Sequence, residues 1–481
     1  MNALFLIVIP FIASGLILLF RKSIIVKCIS IAASLIQLLL TLYVLIQTNF
    51  SQGNILSFFI EWIPSLGINF SLNVDGISMF MLVLTNFLSL LILVSGINRE
   101  PKRIGMFYSM IFFTQAAMNG VFLSSNAILF YIFWELSLIP VYFMVLFWGG
   151  ERRQAITLKF FIYTLLGSLF MLFAFIFLYW QTSGIHSFEI TDFYKIKISP
   201  AVQNRLFWCL FIAFAIKIPL FPFHSWQPDT YTTAPTQVTM ILSGIMLKMG
   251  IYGIIRWLLP IVPQGVEHWS NTVIILSITG ALYASVIALK QNNIKTLLAW
   301  SSMAHVGIIG AGIFARNLYS LQGVMLQMLF HGINIIGLFL VADTIENRTG
   351  TRKISELGGI RNISPFFSST FLIIILGSIA LPLTNGFIGE FLILTGLFKY
   401  YSWYSIFAGL IVITGAVYML YIYQKVMLGQ TNELSDSFIK VPWAENIVLI
   451  PVIILIFLFG IYPIPLLNLT EISVKGLLQM M

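Results

Sequence analysis

Cysteine is almost absent: Cys28 and Cys209 stand far apart with no CxxC spacing. That excludes an iron–sulfur cluster or zinc site built on thiolates, and leaves both as small apolar packing residues. Charge is scarce too. Asp, Glu, Lys and Arg make up 9% of the 481 residues, against about a quarter in soluble domains. There is no phosphate loop and no GxGxxG following a strand, and the glycines of GIIGAG (307–312) lie in a lipid-length apolar run, where they read as helix-packing contacts.

What is abundant is apolar: 59% of residues are hydrophobic and the mean hydropathy is +0.96. They fall in blocks of about 20, the length one helix needs to cross about 30 Å of hydrocarbon, and lack the alternation of a membrane barrel. With no water to satisfy the backbone, helices are the spans to expect. The blocks read as 14 spans, at 3–20, 24–47, 74–97, 104–123, 126–148, 158–180, 205–222, 236–259, 271–290, 295–314, 319–342, 363–400 with an interruption, 403–426 and 443–463. The fold class expected is an all-α polytopic membrane protein, one membrane domain over 1–481. In the first span the charges Arg21 and Lys22 follow the apolar run instead of preceding it, so it reads as a span and not as a cleaved signal.

The net charge of +9 has a topological explanation. Loops on one face hold Arg21, Lys22, Lys27, Arg99, Lys102, Arg103, Arg152, Arg153, Lys159, Lys290, Lys295, Arg348, Arg352, Lys353, Arg361, Lys425 and Lys440, 17 in all. The opposite loops hold seven: Lys195, Lys197, Arg205, Arg256, Arg316, Lys399 and Lys475. The basic face is expected to be cytoplasmic, or its organelle equivalent, with both termini on the outer (periplasmic) side. The partner implied is the lipid bilayer, not nucleic acid. Only Lys217 and Lys248 remain inside spans.

A charge at mid-bilayer costs at least about 2.5–3.5 kcal/mol, so each one kept there needs a reason. Glu135 lies about ten residues into the fifth span, Lys217 about twelve into the seventh and Lys248 about twelve into the eighth; His305 and His331 lie midway along the tenth and eleventh, and Glu390 follows the interruption in the twelfth. At about 1.5 Å per residue they fall near one depth. A single buried Lys–Glu pair needs be no more than a clamp, and a lone histidine no more than a core residue. Six groups of both signs at one depth point instead to a hydrated, ion-conducting axis parallel to the membrane.

Two spans are built to break beside these charges. Pro219 and Pro222 follow Lys217 and strand the carbonyls of Ala215 and Ile218, while Pro382, Asn385, Gly386 and Gly389 precede Glu390. Irregular backbone at this depth marks a polar cavity, and a pair of interrupted helices is a transporter pattern. The offsets Pro219 to Pro382 (163), Glu135 to His305 (170) and Lys217 to Glu390 (173) suggest a repeat. On that reading helices 1–3 occupy 1–103, a first repeat 104–260 (helices 4–8), an inverted second repeat 271–428 (helices 9–13), and helix 14 runs over 443–463. Burial disfavours a charged amine and a nearby carboxylate favours it. Movement of Glu135 would therefore let Lys217 hold or release a proton, to pass by bound water to Lys248, onward past His305 and His331, and out by Glu390.

The strings WELSLIP (134–140), KIPLFPFHSWQPDTYTTAPT (217–236), GIMLKMG (244–250), IKTLLAWSSMAHVG (294–307), FHGINIIGLF (330–339) and LPLTNGFIGEF (381–391) resemble the antiporter-like membrane subunits of proton-pumping NADH:quinone oxidoreductase, respiratory complex I. The resemblance implies 14 helices with two inverted five-helix bundles, each with a broken helix. It maps the modulating glutamate onto Glu135, the lysines onto Lys217 and Lys248, and the histidines onto His305 and His331. In the twelfth helix chains L and N and the cation/proton antiporter subunits carry lysine and chain M carries glutamate, so Glu390 is of the chain M kind; the alternative is the large subunit of a multisubunit cation/proton antiporter. The family's LPDAH reads QPDTY (227–231) here, which replaces a histidine with Tyr231 and leaves His224 as candidate proton inlet.

The resemblance further implies a subunit of an enzyme, with no redox centre or metal of its own. Flavin, iron–sulfur clusters and quinone are expected in partner subunits, and the paralogous chains L and N as neighbours, in a bacterial inner or equivalent organelle membrane. A rival redox reading, haem held between His305 and His331, has one histidine per helix and no haem motif around either.

Overall fold

Uninterrupted apolar stretches bounded by polar caps become helices throughout the computed structural model, which describes residues 3–184, 186–436, 438 and 443–481. Lys440, counted above among the basic loop residues, lies outside them. The helices are α1 (Phe5–Leu18), α2 (Ser23–Gln47), α3 (Gly76–Ser95), α4 (Ile104–Leu123), α5 (Ala127–Trp148), α6 (Arg153–Gln181) and α7 (Pro200–Lys217). They continue with α8 (Thr236–Leu258), α9 (Pro263–Leu289), α10 (Ile294–Phe314), α11 (Leu318–Thr349), α12 (Pro365–Ser378), α13 (Asn385–Tyr400), α14 (Ser402–Met427), α15 (Trp443–Ile461) and α16 (Ile464–Gln479). Side-chain caps fix several starts: Asp75 accepts the Ser78 N–H at 3.0 Å, Asn126 the Ile128 N–H at 3.1 Å and Asn293 the Lys295 N–H at 3.0 Å.

Ten helices among the described residues are long and apolar enough to cross a membrane, or 11 if the bent pair α15 and α16 counts as one span. The shorter apolar helices α1 and α12 have 14 residues each. Helices α8 and α11 are enclosed along their whole apolar length, whereas α2, α6 and α14 bury only 28%, 39% and 33% of theirs. The outward faces of those three carry Ile36, Leu39, Phe173 and Ile413, surface suited to lipid. The centre of the bundle is thus α8 against α11.

Gly307 explains one close packing: a Cβ there would come within 2.7 Å of Ala281 and 2.8 Å of the Ser277 carbonyl, so α10 lies directly on α9. Cys28, expected to pack inside, is exposed on α2, and Cys209 is half-buried.

Two elements were not anticipated. An antiparallel hairpin, β1 (Leu56–Ile63) with β2 (Ile68–Val74), precedes α3 on the face opposite the basic loops. Glu189 clamps it, accepting from Ser71 Oγ at 2.8 Å, Asn69 Nδ2 at 3.2 Å and Asn126 Nδ2 at 3.0 Å. Helix α16 turns 68° away from α15 and packs against α3 and α11.

Candidate functional site

The break after α7 is better satisfied than the prolines suggest. Pro219 removes a donor, but the Leu220 N–H reaches back five residues to the Ala215 carbonyl at 2.9 Å, and the Trp226 indole donates to Ile216 O at 3.0 Å. Ala215 is therefore not stranded. Helix α12 ends with the same device, Leu381 N–H to Leu376 O at 3.1 Å. Ser378, the last residue of α12, precedes its bond's donor by three residues, as Lys217, the last residue of α7, does. Glu390, which the sequence offsets matched to Lys217, lies instead in the second turn of α13.

Lys248 is fully buried on α8, directly after a π-helical turn at Leu242–Met246 in which the Leu247 N–H bonds to Leu242 O. Its Nζ donates to Ser243 O at 2.5 Å and lies 2.9 Å from His331 Nδ1. The other ring nitrogen of His331 is 3.1 Å from Ser302 Oγ, and the His331 and His305 rings are 6.1 Å apart. His305 Nδ1 lies 2.8 Å from Glu390 Oε1, which also accepts from Gln327 Nε2 at 3.0 Å. Lys248, His331, His305 and Glu390 thus form one buried file, with His331 ahead of His305. A cavity of about 10 Å³ among His305, Gln327, His331, Asn334 and Ser378 matches about one water in size.

Lys217 and Glu135 stand apart from that file. Lys217 is 3% exposed, its Nζ has no hydrogen-bonding protein group, and it lies 5.1 Å from the centre of the Trp134 ring. Half-buried Glu135 keeps one carboxylate oxygen unpartnered, and no ion pair joins it to Lys217. A cation over an indole face recovers about 0.5–2 kcal/mol, less than desolvating an ammonium costs. The Glu135 carboxylate acts on Lys217 through space, without direct contact. The break beneath it does touch α8: a Cβ at Gly250 would lie 2.5 Å from Ile218 and 2.9 Å from the Phe214 carbonyl.

His224 is 8% exposed, with Nδ1 unpartnered and its ring among Phe221, Tyr283 and Trp300. Both nitrogens of His331 are engaged by Lys248 and Ser302, which disfavours haem ligation. Among the described residues no group of three or more His, Cys, Asp or Glu is placed to hold a metal ion.

Sequence reasoning missed Gln327, Ser302 and Trp134. Gln327 precedes His331 by four residues and Ser302 precedes His305 by three, spacings that share a helix face. It also missed the reciprocal amide pair Asn334 and Asn385, at 3.1 and 3.2 Å, which ties α11 to the second break.

The family model described as "NADH:quinone oxidoreductase/Mrp antiporter, TM" matches residues 124–415. NADH-quinone oxidoreductase subunit M of Rickettsia prowazekii is 40% identical over 456 residues, 94% of this chain and 92% of that one. NADH-ubiquinone oxidoreductase chain 4 of Marchantia polymorpha is 33% identical over 481 residues, 98% and 96% of the two chains. Among solved structures, a chain of respiratory complex I from Thermus thermophilus with bound NADH has a TM-score of 0.91 at 25% identity, over 99% of both chains. A chain of the Mrp complex from a Dietzia species shares the fold, with a TM-score of 0.89 at 18% identity over 99% of this chain and 97% of that one.

Proposed function

This chain belongs to the NADH:quinone oxidoreductase/Mrp antiporter transmembrane family, and from that premise we propose how it moves protons. It is an antiporter-like membrane subunit, of the subunit M kind, of a proton-translocating NADH-quinone oxidoreductase. Protons pass along Lys217, Lys248, His331, His305 and Glu390, with Glu135 controlling the first step. When Glu135 is drawn away Lys217 gives up its proton to water leading to Lys248. The Lys248 amine hands a proton to the His331 nitrogen 2.9 Å away, the imidazoles pass it on, and Glu390 releases it. Each carrier regains a proton from the one before it.

The observation that carries this reading is the Lys248, His331, His305 and Glu390 file, whose members approach one another across α8, α11, α10 and α13 while almost wholly out of solvent. A clamp needs two charges, whereas this file joins four ionisable groups, and a fifth, Lys217, stands apart from it without a hydrogen-bonding protein group. The first break packs Ile218 against Gly250, two residues past Lys248, and the second brings Ser378 to the cavity beside His305 and His331; His224 is a candidate inlet toward Lys217. The finer architecture belongs to the same reading: 14 spans, inverted repeats at 104–260 and 271–428, and both termini on the outer face. So do redox cofactors confined to partner subunits and chains of the L and N kind as neighbours. Glu390 in place of a lysine favours the oxidoreductase over the cation/proton antiporter.

Lys217→Ala in the assembled complex tests the reading. Protons moved per quinone reduced should fall, with electron transfer retained when a protonophore is added; fully coupled pumping in the variant would refute the relay.

A further inference from the structure

We infer that Asp343 is a positioning residue: its carboxylate keys α11 to the first residue of α8 and so sets how His331 meets Lys248. The inference rests on the relay proposed above and concerns what holds its central contact in register.

The two carboxylate oxygens go to different elements. Oδ1 accepts from Thr236 Oγ1 at 2.6 Å, and Oδ2 from Arg99 Nη2, beyond the end of α3, also at 2.6 Å. Both bonds are short and charge-assisted, and Thr236 is buried. Asp343 follows His331 by twelve residues on α11, and Thr236 precedes Lys248 by twelve on α8. The two helices therefore run antiparallel, tied at a rung near the basic face and again at the relay. Between these rungs the backbones pass close: a Cβ at Gly332 would lie 3.0 Å from the Gly244 carbonyl, and one at Gly244 3.0 Å from Ile336. Such a glycine contact fixes the spacing of the helices. With no pair of side chains interlocked there, it does little against sliding or rotation.

The relay contact tolerates little of either. Lys248 Nζ is 2.9 Å from His331 Nδ1, and direct proton transfer needs about 2.6–3.2 Å between heavy atoms, so a slide of about 1 Å breaks it. The π-helical turn at Leu242–Met246 lies between the two rungs. It holds one residue more than an α-turn, and reversion to regular helix would swing Lys248 by about 100° relative to Thr236. Thr236 held by Asp343, and Lys248 held by Ser243 O and His331, fix the helix on both sides of that turn. Stability alone would be served by a brace between any two elements; this one falls on the two helices that carry Lys248 and His331. Asp343, Thr236 and Arg99 line a cavity of about 430 Å³ that reaches exposed Glu100 and Asn347, so a group left without its partner is hydrated there, which favours assembly of variants at this rung.

The test uses the assembled complex in vesicles, driven by NADH, with Thr236→Val, Thr236→Ser and Asp343→Ala set beside Lys248→Ala. The positioning role predicts that Thr236→Val and Asp343→Ala pump about tenfold more slowly per assembled complex, within the roughly hundredfold that a misplacement of about 1 Å can cost. Thr236→Ser, which restores the hydroxyl, should pump like the wild type. The pH profile of pumping is the second readout, since a lysine and a histidine moved apart titrate independently. Thr236→Val leaves the Asp343 charge in place, and with it the field at Lys295 and Glu445, so a displaced profile in that variant reports the Lys248 and His331 pair. Where Asp343→Ala does not assemble, Thr236→Val, which keeps the shape of the side chain, is read by the same criteria. Wild-type pumping by Thr236→Val while Lys248→Ala fails would overturn the positioning role and leave the relay standing; slower pumping with the wild-type pH profile, or equal loss in Thr236→Ser and Thr236→Val, would reduce the rung to a structural brace and overturn it as well. Wild-type pumping by Lys248→Ala would instead remove the relay on which the inference depends.

Discussion

Lys248 Nζ lies 2.9 Å from His331 Nδ1 although the two residues are 83 positions apart in the chain. An ammonium and an imidazolium at that distance repel strongly in a low-dielectric interior, which disfavours charging both at once. Arginine cannot lose its proton inside a protein. Lys248→Arg is accordingly expected to reduce proton pumping to below about a tenth of wild type, as measured by ΔpH formation in vesicles.

Glu390 accepts from both His305 and Gln327. The two partners predict different outcomes. Glu390→Gln keeps the volume but removes the ionisable terminus of the file, and pumping is expected to stop. Gln327→Leu leaves the carboxylate in place with one donor fewer, which costs about 1–3 kcal/mol of stability; thermal unfolding should shift downward while pumping slows without ceasing.

Gly67 closes the hairpin at φ +63°, and a Cβ there would meet the His186 carbonyl at 2.2 Å. Gly67→Ala combines a strained backbone with that collision, at a cost of about 1–3 kcal/mol. The expected result is faster protease cleavage within 56–74, read by mass spectrometry, with the spans left intact.

The proposal that protons and not sodium are coupled rests on Glu390, at the position where the family resemblance expects lysine in antiporter subunits. Replacing sodium with potassium at constant ionic strength is expected to leave the pumping rate unchanged, and a requirement for sodium would favour the antiporter reading.

The charges of the site were legible because each is an exception within its surroundings: Lys217, Lys248 and Glu135 interrupt apolar runs, and nothing but function or pairing justifies them there. Helix positions were legible for the same reason, since a block of about 20 apolar residues has few alternatives in lipid. Partnerships were not. Which histidine meets Lys248 depends on how α11 is rotated against α8, and that rotation comes from side-chain fit between residues far apart in sequence. The fate of the Ala215 carbonyl was misread because a missing N–H at Pro219 says what is lost locally and not that Leu220 replaces it. The hairpin escaped because LSFFIEWI leaves most of its residues exposed, without the buried alternation that marks a strand. Gln327 was findable, being a polar residue one turn before His331 in the apolar middle of α11.

The most direct test of the central claim is a high-resolution density map of the assembled complex. The account predicts ordered water from Lys217 to Lys248, and between His331 and His305, completing a wet file parallel to the membrane. Dry, separately packed side chains at Lys217 and Lys248, with apolar groups filling the space between them, would contradict it.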